Sequence, residues 1–292
     1  MKKVFFIPLL AMMFLAACDS ESKWESLFNG KDLTGWEFYL GVPPSFVDVP
    51  GMELNEDSVY TLPLGVNNDP LRVFSIVEID GAPAIRISGE IFGSLATIKE
   101  YENYHLQLEV KWGDKIWQTD RWEGRRNSGL LYHSIGEFGK GLGVWKISHE
   151  CQIMENDFGD SYRMGETFCD IKASRVENGR YFFDPAAKPV RFGHGEGLSP
   201  ICSKKPNKEK PYHYEKPHGE WNTIELLCYE GTSVHVVNGK VNMINTNSHI
   251  LVNGKEEPLT KGVIQLQSEG AEVYFRNIKI RQITKIPDKF LK

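Results

Sequence analysis

NSGLLYHSIGEFGKGLGVWKISHECQIMENDFGD, residues Asn127 to Asp160, decides the fold class and points to where the chemistry lies. It contains two strand-like runs, SGLLYH and SHECQIME, joined by a connection carrying Gly136, Gly139, Gly141 and Gly143. Glycine at that density gives the backbone freedom for tight turns or for close approach of a ligand. Side chains alternate across a strand, so Glu150, Gln152 and Met154 share one face, and His149, Cys151, Ile153 and Glu155 the other. Cys151 and Ile153 suit a core. Glu150 and Gln152 are therefore expected on the opposite, wetter face. Glu155, Asp157 and Asp160 follow at the strand end. Carboxylates, amides and histidines gathered around one strand end suit sugar chemistry or cation binding, although an ordinary polar edge strand with an acidic turn has the same pattern.

Outward from this stretch, strand signals dominate. VFSIVEI (73–79) and AIRIS (84–88) flank Asp80-Gly81 as a hairpin, and SLATI (94–98) follows. YHLQLEVKW (104–112) places Leu106, Leu108, Val110 and Trp112 on one face and His105, Gln107, Glu109 and Lys111 on the other, the pattern of half-buried antiparallel sheet. Further strands are expected in TFCDIKAS (167–174), WNTIELLCYE (221–230) and SVHVV (233–237), which turns at Asn238-Gly239 into KVNMIN. GVIQLQSE (262–269) is expected to pair with EVYFRNIKIRQI (272–283) across Gly270-Ala271. Many short strands joined by Gly and Asn turns indicate an all-β antiparallel sandwich. A proline-bearing segment at about 176–220 is expected to be an irregular insertion, long enough to suggest function.

The amino terminus has its own message. Lys2-Lys3, the apolar run Val4–Leu15 and Leu15-Ala16-Ala17-Cys18 describe a lipoprotein signal peptide, residues 1–17. Lipid on Cys18, followed by a polar tether at 18–23, would hold the protein at a membrane of the cell envelope, on its outer-membrane or periplasmic face. A single domain is expected over 24–285. The full chain's net charge of −5 argues against nucleic acid as a partner. Aromatic residues make up 12% of the chain, with seven tryptophans, and such rings are platforms for sugars as well as core. Beyond Cys18, four cysteines (Cys151, Cys169, Cys202 and Cys228) permit disulfides in an exported protein. Cys151 and Cys228 sit within apolar alternation and suit buried thiols equally well. Their spacing does not match a zinc site.

Five stretches carry a likeness. WESLFNGKDLTGW, RRNSGLLYH, SHECQIMENDFGD, GEWNTIELLCYEGTSVHVVNGKVN and GVIQLQSEGAEVYFRNIKI, in that order from about Trp24 to Ile283, resemble the successive motifs of the bacterial 3-keto-disaccharide hydrolases. The resemblance implies a jelly roll similar to concanavalin-A-like lectins and β-glucanases, a carbohydrate substrate, and cleavage of glycosides oxidised at C3. The alternative on the same fold is a non-catalytic sugar-binding protein. Two departures stand out: the longer segment at 176–220, and Glu269 where some members carry histidine.

Candidate residues follow from both readings. Glu150 is the first candidate for base or metal ligand. Glu155 joins it as a second carboxylate, and His235, matched by a histidine in the family motif and alternating with Val234 and Val236, is expected on a polar face. Substrate contacts are expected from Arg126, Asn127, His133, Gln152, Asp157 and the same-face amides Gln265 and Gln267. Asp157 and Asp160 beside Glu155 also leave room for Ca²⁺ or Mg²⁺, with no cofactor otherwise implied.

Overall fold

A computed structural model describes residues 22–175, 181–193 and 214–291. The signal peptide, Cys18, most of the tether and Cys202 lie outside the described residues. Two antiparallel sheets face each other, as expected for the sandwich. The larger runs, edge to edge, through Tyr181–Phe183, Thr167–Arg175, Lys240–Val252, Thr232–Val237, Asn222–Tyr229, Tyr104–Ile116, Ala271–Gln282, Ala82–Ile87 and Phe74–Ile79. The smaller runs through Ser161–Met164, Ile147–Met154, Asn127–Ile135, Lys261–Ser268, Gly93–Thr97, Trp36–Leu40 and Gly65–Val66.

Alternation explains the core between them. Leu106, Leu108 and Val110 of the larger sheet meet Leu130, Cys151, Ile153 and Leu266 of the smaller in one cluster, all of them fully buried. Such side chains contribute roughly 1.5–3 kcal/mol each on burial, enough to fix which face of each strand turns inward. The larger sheet also has a covered outer face. Ile286 and Phe290, near the carboxyl end, pack onto Leu227, Val234 and Val236. Cys151, Cys169 and Cys228 are buried free thiols.

The Asp80-Gly81 and Asn238-Gly239 turns form as expected, each pair with positive φ (54° and 72°, 49° and 77°). Two expectations need correction. Lys261–Ser268 and Ala271–Gln282 do not pair: the chain crosses at Gly270 from the smaller sheet to the larger, where Ala271 lies opposite Ile116. Room for that crossing comes from Gly89, where a Cβ would sit 2.3 Å from the Ala271 carbonyl oxygen. The segment after 176 is also not wholly irregular, since Tyr181–Phe183 and Pro189–Gly193 both pair with Thr167–Arg175.

Candidate functional site

Strand register builds one polar row across the outer face of the smaller sheet. Glu150 lies opposite Leu131, Leu131 opposite Gln265, and Gln265 opposite Ala96. One step along, Gln152 lies opposite Gly129, and Gln267 opposite Ser94. Cys151 and Ile153 turn to the core, so parity carries Glu150 and Gln152 outward as expected. The wetness of that face does need correcting. Glu150 is 1% exposed, Gln152 4%, and Gln265 and Gln267 are fully buried. Connections from elsewhere roof the row. Trp145, from the glycine-rich connection, packs on Leu131 and Met164 and donates its Nε1 hydrogen to the Gly93 carbonyl at 2.9 Å. Phe92 stacks between Trp145 and Trp122, at 6.2 and 6.1 Å.

Beneath this roof, polar atoms lack partners among the described residues: Glu150 Oε1, Gln152 Oε1, Asn127 Oδ1, Gln265 Nε2 and both terminal atoms of Gln267. Burying such a group unpaired costs about 1–3 kcal/mol, so the fold gains nothing from collecting them here. A polyhydroxylated ligand would satisfy them. Among the described residues, the Gln265 oxygen is engaged, by the Ser94 hydroxyl at 3.0 Å and the Lys146 backbone N–H at 3.4 Å.

Gly129 sits at the centre of the row. A Cβ there would fall 2.2 Å from both Glu150 Oε1 and Gln267 Oε1. Gly129→Ala should therefore push both groups aside, lowering activity at least about tenfold while leaving the inter-sheet core and the cooperative melt intact. Steady-state kinetics beside a thermal melt check this, and an active Gly129→Ala protein would place the chemistry elsewhere.

Two carboxyls dominate the electrostatics. Burial, and secondly the Glu269 charge, push the Glu150 carboxyl well above the usual carboxylate range. Burial pushes Glu269 up to about 8, with the Arg121 guanidinium acting in the opposite direction. Glu269 is half-buried and faces a cation, whereas Glu150 is fully enclosed. Glu269 therefore gives up its proton before Glu150, whose carboxyl burial holds well above the usual range. In sequence Glu269 stands out only as a departure from the family pattern; it follows directly on the end of Lys261–Ser268, two residues past Gln267.

Glu155 and Asp157 stand in a different setting. The Glu155 carboxylate accepts from Arg126 Nη1 at 2.7 Å and from the Arg126 backbone N–H at 2.9 Å. Arg125 Nη1 lies 2.5 Å from Asp157 Oδ2. These ion pairs tie the end of Ile147–Met154 to the segment entering Asn127–Ile135, so the structure gives Glu155, Arg126 and Asp157 bracing contacts. Asp160 takes a 3.4 Å contact from Asn242 Nδ2. Among the described residues, no group of three or more His, Cys, Asp or Glu side chains is arranged to hold a metal ion.

Against this geometry, residues 23–281 match the family model of the 3-keto-alpha-glucoside-1,2-lyase-like domain. The chain belongs to this family. It is thus a 3-keto-alpha-glucoside-1,2-lyase-like domain with a jelly-roll fold. No curated protein matches it. Among solved structures it is similar to a protein of Parabacteroides distasonis provisionally classed as a glycosyl hydrolase, at 21% identity over 89% of this chain and 94% of that one, with a TM-score of 0.46. A carbohydrate-binding module, CBM66 of Bacillus subtilis, is similar at 8% identity over 72% and 92%, TM-score 0.40. A Bacillus licheniformis β-glucanase matches at 9% over 91% and 99%, TM-score 0.37.

In this family member the histidines lie on the other side of the smaller sheet from Glu150, as alternation predicts for His149 but not as expected for His133 and His235. Val234 and Val236 face outward under Ile286 and Phe290, so His235 points inward between the sheets. Its Nδ1 donates to the Gly159 carbonyl at 2.9 Å, leaving Nε2 to accept from the Tyr132 hydroxyl at 3.1 Å. His133 is turned inward by a bulge: its φ is +49°, and the register shifts on both sides of its strand. It packs edge-on against Tyr104 of the larger sheet, 6.1 Å away. His149 donates to the Ser248 hydroxyl at 2.7 Å, that hydroxyl donating onward to the Leu259 carbonyl.

Burial lowers all three, His133 and His235 to about 4 and His149 to about 3. The unfolded chain's histidines bind protons below about pH 6.5, where the folded protein's do not, so each costs stability as pH falls from there towards its folded value. His149→Gln removes one such group. Between pH 7.5 and 5 its stability relative to the parent should improve by about 2 kcal/mol, or several degrees in melting temperature. Parallel melting curves across that range would show that His149 is not buried neutral.

Proposed function

We propose that this protein cleaves glycosides carrying a ketone at C3, by elimination across C1–C2 followed by hydration. The unpartnered groups around Glu150 support this reading most directly, because they supply what such a reaction needs. A C3 ketone acidifies the C2 hydrogen. Ionised Glu269 removes that proton, and the electron pair forms the enolate. The amide N–H groups of Gln265 and Gln267 donate to the oxygen where that charge develops. The enolate collapses and expels the C1 substituent, whose oxygen takes the proton held by Glu150. Water then adds across the double bond, returning a hydrogen to C2 and placing hydroxyl on C1.

The test offers protein beginning at residue 22 both 3-keto-glucosides and their unoxidised parents. Release of the aglycone from the keto compounds alone is expected. Equal cleavage of the parents would mean ordinary glycosidase chemistry by two carboxylates. Sugar binding without cleavage of either would make it a lectin-like module.

The lipoprotein signature supports a site of action at the cell envelope, on the end of a lipid-anchored tether. Cys18→Ala should release the protein from the membrane fraction or leave its precursor uncleaved. Unaltered processing and fractionation would remove the anchor from the account.

A further inference from the structure

Beside the carboxyl pair lies a cleft of about 630 Å³, formed by the segments around residues 42–46, 117–121 and 142–144. Its size suits one small molecule or part of one. Val42, Phe46 and Leu142 line it and are 45%, 56% and 66% exposed. Single exposed apolar residues are ordinary, but three around one concavity form an unpartnered apolar surface. Phe92 and Trp117 add aromatic area, and the polar side chains of Gln118 and Asp120 lie at the same cleft.

The cleft adjoins the roof of the site. Phe92 stacks on Trp145, which roofs the polar row, and Val144 packs in the same cluster over Leu131. Arg121 joins the two regions. Its guanidinium carbon lies 5.4 Å from the ring centres of both Phe92 and Trp122, and its charge acts on Glu269. A sugar held at the polar row would have this apolar, aromatic-lined space on the side of Phe92 and Arg121.

We infer that this cleft is the subsite for the leaving group, and that it selects glycosides whose aglycone is a flat aromatic ring over those ending in a short alkyl group. The inference rests on the reading of the polar row as the sugar site. Phe46 and Leu142 would pack the ring between them, and the stacked Arg121 would lie along its edge. The unpartnered amides would hold the sugar in both cases, so the preference arises in the cleft alone.

Equilibrium binding of unoxidised 4-nitrophenyl and methyl glucosides, both anomers of each, measured by calorimetry, tests this without turnover. The nitrophenyl compound should bind about tenfold more tightly or better. A Phe46→Ser, Leu142→Ser double variant, altered only at exposed positions, should bind both compounds with the affinity the parent protein shows for the methyl glucoside. Equal affinity for the two compounds, loss of both in the double variant, or binding of neither would overturn the inference. Tight nitrophenyl binding with no cleavage of any keto-glucoside would leave the cleft standing and remove the catalytic reading. Cleavage with no aryl preference would do the opposite.

Discussion

Glu150→Gln should lower turnover of a methyl 3-keto-glucoside by about 10²–10⁴-fold, the usual contribution of a positioned general acid or base. The amide keeps the shape of the side chain and removes the proton that the departing alkoxide must take. A 4-nitrophenyl leaving group departs without one, so for that substrate the loss should be about tenfold or less. That contrast separates an acid from a base, because loss of a base would slow both substrates alike. The pH profile carries a second sign. Ionisation of Glu269, pushed up to about 8, should give the parent an acid limb there, with activity rising as pH climbs through it. Glu269→Gln should abolish that limb along with most activity. Neither change touches the inter-sheet core, so melting temperatures should stay close to the parent's. A Glu150→Gln protein equally slow on both substrates would exchange the roles of the two carboxyls.

Ile153→Asp should do the reverse and collapse the fold. Ile153 is fully buried in the cluster between the sheets, three residues from Glu150 on the same strand and on the opposite face. The substitution forfeits a buried aliphatic side chain and places a carboxyl where no partner waits. Together these cost about 4 kcal/mol or more, against a total stability of about 5–15 kcal/mol for a typical domain. Loss of soluble, cooperatively melting protein is expected on expression. A soluble Ile153→Asp protein melting near the parent's temperature would mean that the strand faces the other way.

These two substitutions also show what alternation makes legible. Strand positions, the turns at Asp80-Gly81 and Asn238-Gly239, and the opposite facing of Glu150 and Ile153 all follow from period-two patterning and local turn chemistry. The partner of each strand does not. Lys261–Ser268 and Ala271–Gln282 look like a hairpin because parity describes faces and not neighbours, and the crossing depends on Gly89, some 180 residues earlier in the chain. Burial of the Glu150 row was hidden for a similar reason, since Trp145 and Phe92 reach it from separate connections. His235 misleads by a subtler route. Its valine neighbours mark an apolar face, but Ile286 and Phe290 cover that face from the outside, so the polar side is the inner one. His133 lies at a bulge, where alternation breaks down altogether.

The fate of the C2 hydrogen tests elimination most directly. A 3-keto-glucoside should be cleaved in D₂O and the released sugar examined at C2 by proton NMR, with the enzyme-free exchange rate subtracted. Proton abstraction by Glu269 and re-addition from solvent should leave deuterium at C2 in essentially every product molecule, and Glu269→Gln should lose this incorporation together with cleavage. Products that keep the original hydrogen at C2 while the glycosidic bond is broken would contradict the account, since the bond would then have been displaced at C1 without an enolate.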